Sequence, residues 1–184
     1  MPIFTNVDGV WREVKNIYDN VGGVWKTTKT VHDNVGGAWR QSYRKNTFED
    51  YFTPFHANTE YVGGTYKNEN NGSYLYSEIN GRSTGNSRTP IQVGWKISNI
   101  PQGQTVTIDW EMTKGTYAEN DVVISSNGQQ LGVETNTFQR KSSQFSPTGS
   151  MIIFWNFWTS THTHSFFKIH QVQIGGVTVY PVQQ

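Results

Sequence analysis

Three groups of side chains in this sequence could do chemistry. Asp109 and Glu111 are carboxylates two residues apart, on either side of Trp110. On a strand they share a face about 7 Å apart, and glycoside hydrolysis works with two carboxylates flanking the scissile bond. His162 and His164 also stand two apart, in Thr159-Ser-Thr-His-Thr-His-Ser165. Imidazoles at this spacing point the same way on a strand, and imidazole suits iron, nickel or zinc. One chain brings only two ligands, so a metal there needs a threefold assembly with six imidazoles. The third group is aromatic. Tyr66, Tyr74, Tyr117 and Trp158 are candidates to stack on sugar rings through their apolar faces, with nearby polar groups taking the hydroxyls. Trp155 and Trp158 fall on opposite faces of one strand, so at least one belongs to the core.

Each group has a plainer reading. Asp109 and Glu111 fit the solvated face of a strand whose other face is Val106, Ile108, Trp110 and Met112. The two histidines fit an exposed loop. No Ser-His-Asp arrangement, phosphate loop or nucleotide fingerprint is visible. The sequence therefore reads as a protein that is not an enzyme, with no cofactor apart from the metal that His162 and His164 would hold in a trimer.

The elements that must position these residues begin with a repeat. Asn6-Val-Asp-Gly-Val-Trp11-Arg, Asn20-Val-Gly-Gly-Val-Trp25-Lys and Asn34-Val-Gly-Gly-Ala-Trp39-Arg recur every 14 residues. Asp-Gly or Gly-Gly between apolar β-formers signals a two-residue hairpin turn, because both central residues need positive φ. The register then sets Val7 opposite Val10, Val21 opposite Val24 and Val35 opposite Ala38. Asn20 faces Trp25, Asn34 faces Trp39, Asp19 faces Lys26 and Asp33 faces Arg40. The last two are favourable cross-strand charge pairs. The simplest arrangement is one meander turning every 14 residues. A flat strand through Val14 and Tyr18 would have no dry face, however, so a bulge or second turn is expected near Lys15-Asn16 and Lys29-Thr30. Apolar spacings of three and four also allow a heptad helix, but each glycine costs about 1 kcal/mol there relative to alanine.

Four short strands bury little on their own. Trp11, Trp25, Trp39, Val21, Val24 and Val35 are therefore read as an assembly or attachment surface. This array resembles N-terminal Asn-Val-Gly-Gly-Val-Trp-Lys units of bacteriophage virion proteins, tail-associated and appendage proteins especially. The resemblance covers residues 1–44 and implies a structural component of a virion, made in a host cytoplasm, with itself and other virion proteins as partners. A homotrimer is the expected state, and host surface polysaccharide is a further expected partner. The His-x-His pair is similar to a motif at the tips of trimeric phage spikes. A capsid decoration or head-fibre protein without a receptor role, or a free carbohydrate-binding module, is the alternative.

Composition agrees with an all-β protein. Of 184 residues, 14% are aromatic and only 16% charged, with 18 glycines. Net charge is +1 with no basic run, which argues against nucleic acid or an anionic membrane as partner. With no cysteine, disulfides and thiolate metal sites are excluded. The N-terminus has no signal-peptide pattern, and Met151–Trp158 is too short to span a bilayer.

After a hinge at Arg44-Lys45-Asn46, residues 45–184 read as one antiparallel β-sandwich, jelly-roll-like, of about eight strands and no helix. Ile91–Ile97 and Thr105–Met112 alternate cleanly. Asn127-Gly128 and Gly175-Gly176 are turns. Tyr61-Val-Gly-Gly-Thr-Tyr66, Asn70-Asn-Gly72 and Asn80-Gly81 also read as turns. Met151–Thr159 is apolar on both faces and reads as a central strand. Phe166–Ile174 alternates only in part. The segment from Lys168 to Val179 resembles the closing strands of carbohydrate-binding jelly rolls.

Overall fold

The computed structural model describes residues 4–7, 10–13, 17–21, 23–28, 30–35, 38–44, 47–85, 90–115 and 120–181. The chain divides into two compact units, Met1–Thr47 and Phe48–Gln184. The boundary falls three residues beyond the expected one, at the start of the short helix Phe48–Tyr51.

The first unit is three separate antiparallel hairpins. They pair β1 (Phe4–Val7) with β2 (Val10–Glu13), β3 (Tyr18–Val21) with β4 (Val24–Thr27), and β5 (Thr30–Val35) with β6 (Ala38–Arg44). The expected register holds: Val7 pairs Val10, Asn20 pairs Trp25, Asp19 pairs Lys26, Asn34 pairs Trp39 and Asp33 pairs Arg40. At the second turn Gly23 takes φ +83, a conformation that favours glycine, and its N–H donates to the Asn20 side-chain oxygen at 2.9 Å. In this copy of the repeat that bond gives the asparagine its role.

The array is strand, as expected, and not the heptad helix that its apolar spacing also allowed. One expectation is corrected: it is not one continuous meander, since among the described residues no ladder joins one hairpin to the next. The break expected near Lys29-Thr30 falls between the end of β4 at Thr27 and the start of β5 at Thr30. Lys15-Asn16 lies outside the described residues. So do the side chains of Trp11, Trp25, Trp39, Val21 and Val35, while Val24 is exposed.

The second unit is an antiparallel β-sandwich. Its strands are β7 (Phe52–Ala57), β8 (Val62–Asn70), β9 (Leu75–Ser83), β10 (Ile91–Ile97), β11 (Val106–Thr113) and β12 (Asp121–Ser126). They continue with β13 (Gln129–Glu134), β14 (Phe138–Phe145), β15 (Met151–Phe157), β16 (Thr163–Ile174) and β17 (Val177–Tyr180). One sheet has five strands in the order β13-β12-β15-β10-β7. The other has six, in the order β14-β11-β16-β9-β8, with β17 also paired to β16. The chain passes repeatedly between the sheets, as in jelly rolls.

Alternation builds the core. Ile91, Val93, Trp95 and Ile97 of β10, and Val106, Ile108, Trp110 and Met112 of β11, all point inward and are buried. Met151, Ile153, Trp155 and Phe157 join them from β15, a central strand as expected, which settles Trp155 as core. Asn127 and Gly128, at φ 49 and 76, form the two-residue turn between β12 and β13.

Hydrogen bonds also tie the two layers together where β8 and β9 lie near β10. The Trp95 indole N–H donates to the Tyr76 carbonyl at 3.1 Å. Ser77 Oγ donates to the Val93 carbonyl at 3.2 Å, and the Asn68 amide donates to the Gly94 carbonyl.

Among the described residues the unit has eleven strands where about eight were expected, and two of the expected turns are not turns. Gly63-Gly64 and Asn80-Gly81 do not turn; they lie inside the β8–β9 ladder, where Gly64 stands opposite Gly81. A Cβ on Gly81 would meet the Gly63 carbonyl oxygen at 2.8 Å, so these glycines serve close backbone approach rather than reversal. The turn between these strands falls at Asn71 to Tyr74, with Gly72 at φ +85. A further departure is a short helix, α1 (Phe48–Tyr51), whose Phe48 ring stacks on Phe52 with centroids 5.1 Å apart.

Candidate functional site

The outer face of the six-stranded sheet is made by the residues that alternate against the core. From β8 come Thr65, Lys67 and Glu69; from β9 Tyr76, Glu78 and Asn80; from β16 His164, Phe166 and Lys168; from β11 Asp109 and Glu111. The ladders align them in rows. Lys67 lies opposite Glu78, and Glu78 opposite Phe166. In the next row Glu69 lies opposite Tyr76, Tyr76 opposite Lys168, and Lys168 opposite Glu111.

A chain of rings runs across these rows. Centroids are 5.5 Å apart for His164–Phe166 and for Phe166–Tyr76, 6.3 Å for Tyr76–Tyr74 and 5.9 Å for Tyr74–His170. Two lysines lie against it. Lys67 Nζ is 5.0 Å from the Tyr76 ring centroid, and Lys168 Nζ is 5.2 Å from that of Tyr74 and 5.4 Å from that of Phe166.

The charges around the rings are paired. Arg140 grips Asp109 with two hydrogen bonds of 2.9 and 2.6 Å. That hydrogen bonding holds the Asp109 carboxyl below its ordinary range, against the opposing effect of burial. Burial pushes Glu111 up, but Lys168 at 2.7 Å and the nearby His170 outweigh it, and the net direction is down. His170 Nε2 is 3.5 Å from Glu111 Oε2, close enough to feel its charge, yet this shielded nitrogen makes no aligned hydrogen bond. Glu78 has His164 Nε2 at 3.3 Å and Lys67 Nζ at 3.9 Å. Burial, and then hydrogen bonding to Glu78, push the Tyr76 hydroxyl above the ordinary tyrosine range.

A β-bulge completes the face. The β11–β16 register shifts between Asp109 and Trp110, which pair with Gln171 and Ile169 and leave His170 as the extra residue. His170 and Gln171 are both half-buried between the buried Ile169 and Val172. This is why Phe166–Ile174 alternates only in part.

The residues expected from sequence scatter. Tyr74 reaches this face. Tyr66 points to the other side of its sheet, where its ring meets His56 at 5.2 Å. Trp158 is half-buried just past β15. Tyr117 lies outside the described residues. His164 is the second residue of β16, beside Glu78, whereas exposed His162 stands before the strand begins. Among the described residues no three His, Cys, Asp or Glu side chains gather as a metal site. Asp109 and Glu111 share a face as expected, each committed to a cation.

Sequence reasoning missed Tyr76, Glu78, Phe166, Lys67 and Lys168. Their signal was present: Tyr74, Tyr76 and Glu78 alternate against Leu75, Ser77 and Ile79, the pattern of a strand with one dry and one functional face.

The opposite sheet differs. Across its outer face one row runs Val133, Val123, Phe154, Gly94 and Phe55, with Phe55 and Phe154 rings 5.4 Å apart.

Fold and face together define a jelly-roll-like β-sandwich with an aromatic, charge-paired sheet face. No described protein family matches the sequence, and no curated protein resembles it. Solved structures do overlap it. One described as "CBM4 structure and function" shares 18% identity at a TM-score of 0.41, over 68% of this chain and 86% of its own. A family 29 carbohydrate-binding module complexed with mannohexaose shares 10% identity at 0.42, over 89% of this chain and 95% of its own. The secreted serine protease VesC from Vibrio cholerae shares 12% identity at 0.42, over 65% of this chain but 26% of the protease.

Proposed function

We propose that the outer face of the six-stranded sheet binds a glycan and does not cleave it. The observation that carries this is the ring chain Tyr74–Tyr76–Phe166–His164, laid on a rigid sheet and interleaved with paired charges. Sugars offer apolar ring faces and a rim of hydroxyls. Half-buried aromatic rings stack on the first, while carboxylates and ammonium groups take the second. Strands hold such groups more firmly than loops do.

Cleavage would need one carboxyl group that keeps its proton until it passes it to the leaving oxygen. Asp109 and Glu111 are both held below the ordinary carboxyl range by their cations, so neither is suited to that role.

The hairpin unit is proposed to fix the chain in an assembled particle. The support is its resemblance to phage virion repeats, together with three hairpins that no ladder joins to one another among the described residues. The sandwich then presents its aromatic face to a host surface polysaccharide.

The test is binding of the full chain to a panel of bacterial surface polysaccharides, beside Tyr76→Ala and Phe166→Ala variants confirmed as folded. Binding to at least one member, weakened about tenfold or more by either substitution, is expected. Silence across the panel, or affinity untouched by both substitutions, would overturn the reading.

A further inference from the structure

The carboxylates on this face are unequally compensated. Asp109 has a two-pronged Arg140 at 2.9 and 2.6 Å, and Glu111 has Lys168 at 2.7 Å. Glu78 is the most enclosed of the three, its side chain only 16% exposed, yet its cations are the most distant. Lys67 stands 3.9 Å away and is itself 52% exposed, shared with Glu69 at 3.3 Å. His164 at 3.3 Å is a cation only when protonated. The Tyr76 hydroxyl also hydrogen-bonds to Glu78, so the carboxylate is partnered, but neither Lys67 nor His164 makes the short, committed pair that Arg140 and Lys168 make, and a ligand cation can take their place.

The surroundings specify that charge. Glu78 sits opposite Phe166 on one strand and Lys67 on the other, with the Tyr76 and Phe166 rings beside it. A carboxylate flanked by ring faces suits a positively charged nitrogen. The chain already shows this twice: the ammonium of Lys67 lies 5.0 Å from the Tyr76 ring centroid, and Lys168 lies near those of Tyr74 and Phe166. Lys67 is loosely held, and exposed ion pairs contribute little, so a ligand amine displaces it at small cost.

We propose that Glu78 determines specificity by receiving a protonated amino group of the glycan, so that the preferred ligand carries free amino sugars. The inference rests on the glycan-binding reading. The hexosamine stacks on Tyr76 and Phe166, and its ammonium reaches Glu78 from the side that Lys67 now occupies. An N-acetylated sugar offers no charge there, and a uronate meets the wrong one.

The test is calorimetric titration of the full chain with glucosamine oligomers, their N-acetylated counterparts, neutral glucose oligomers and uronate oligomers of equal length. Glu78→Gln keeps the shape and removes the charge. The expected result is at least tenfold tighter binding of glucosamine oligomers than of the other three. In Glu78→Gln, confirmed as folded by its melting transition, that preference falls to within about twofold, whatever the change in affinity for the neutral oligomers. Equal affinity for amino and acetylated oligomers, or a preference that survives in Glu78→Gln, overturns the role of Glu78 and leaves glycan binding standing. No binding to any of the four, together with silence across the polysaccharide panel, overturns both.

Discussion

The indole N–H of Trp95, in the core of one sheet, donates to the main-chain carbonyl of Tyr76, on the other. The residue whose ring lies at the middle of the aromatic face is thus anchored from behind by the opposite layer. Trp95 is 2% exposed, so the bond is shielded from water. Trp95→Phe removes the donor and part of the ring volume. It should destabilise the sandwich by about 2 kcal/mol and lower the melting temperature by about 6 °C. Calorimetry of the variant checks this; an unchanged melting temperature would mean the bond does not tie the layers.

Gly94 predicts a sharp steric contrast. A Cβ there would lie 2.0 Å from the Ile153 carbonyl oxygen and 2.5 Å from Phe154 Cα. Main chain cannot step aside as a flexible side chain can. Gly94→Ala should cost about 3 kcal/mol or more. At Gly103 a Cβ meets nothing within 4 Å, and only its φ of +77 opposes substitution. Gly103→Ala should cost about 1 kcal/mol. Urea unfolding of the two variants side by side gives the ordering.

The Asp109–Arg140 pair makes a pH prediction whose sign follows from linkage. The folded carboxyl titrates below its unfolded counterpart. The stabilisation is therefore present above the unfolded value, about 3.9, and is lost as pH falls through the folded one. Asp109→Asn removes it at every pH. The wild-type chain should melt above the variant at pH 7, and the gap should close toward pH 2. Because Arg140 is mostly exposed, high salt should shrink the gap at pH 7. A gap that widens on acidification would contradict the pairing.

The hairpin unit predicts association. In light scattering at micromolar concentration the full chain should have a mass of three times its 21.0 kDa. Asn20→Ala, which removes the acceptor for the Gly23 N–H, should loosen the second hairpin and shift the chain toward monomer. Monomers alone at every concentration would remove the trimer from the reading.

Much of the fold was written in local pattern. Ile91–Ile97 alternates without interruption and is β10 to the residue; the repeat's register is what its turns require. Reading failed where glycine had two meanings. Gly63-Gly64 and Asn80-Gly81 resemble turns, yet they face each other in a ladder, a relation between residues some 17 positions apart that no window along the chain contains. The bulge at His170 belongs to the same class, because a register shift is a property of two strands. The site was only partly legible for a related reason. Of the four aromatics that the sequence offers only Tyr74 reaches the face; the rings that gather with it are strand residues facing away from the core. Tyr76 and Phe166 become neighbours only once β9 pairs with β16.

The most direct test of a glycan-binding sheet face is NMR mapping of the full chain titrated with a saccharide that binds it. Shift changes should centre on the rings and amides of Tyr74, Tyr76, Phe166 and His164, and on the neighbouring Glu78 and Lys67. Changes confined to Phe55, Gly94 and Phe154 on the opposite sheet, or to the hairpins, would place the binding surface elsewhere and contradict it.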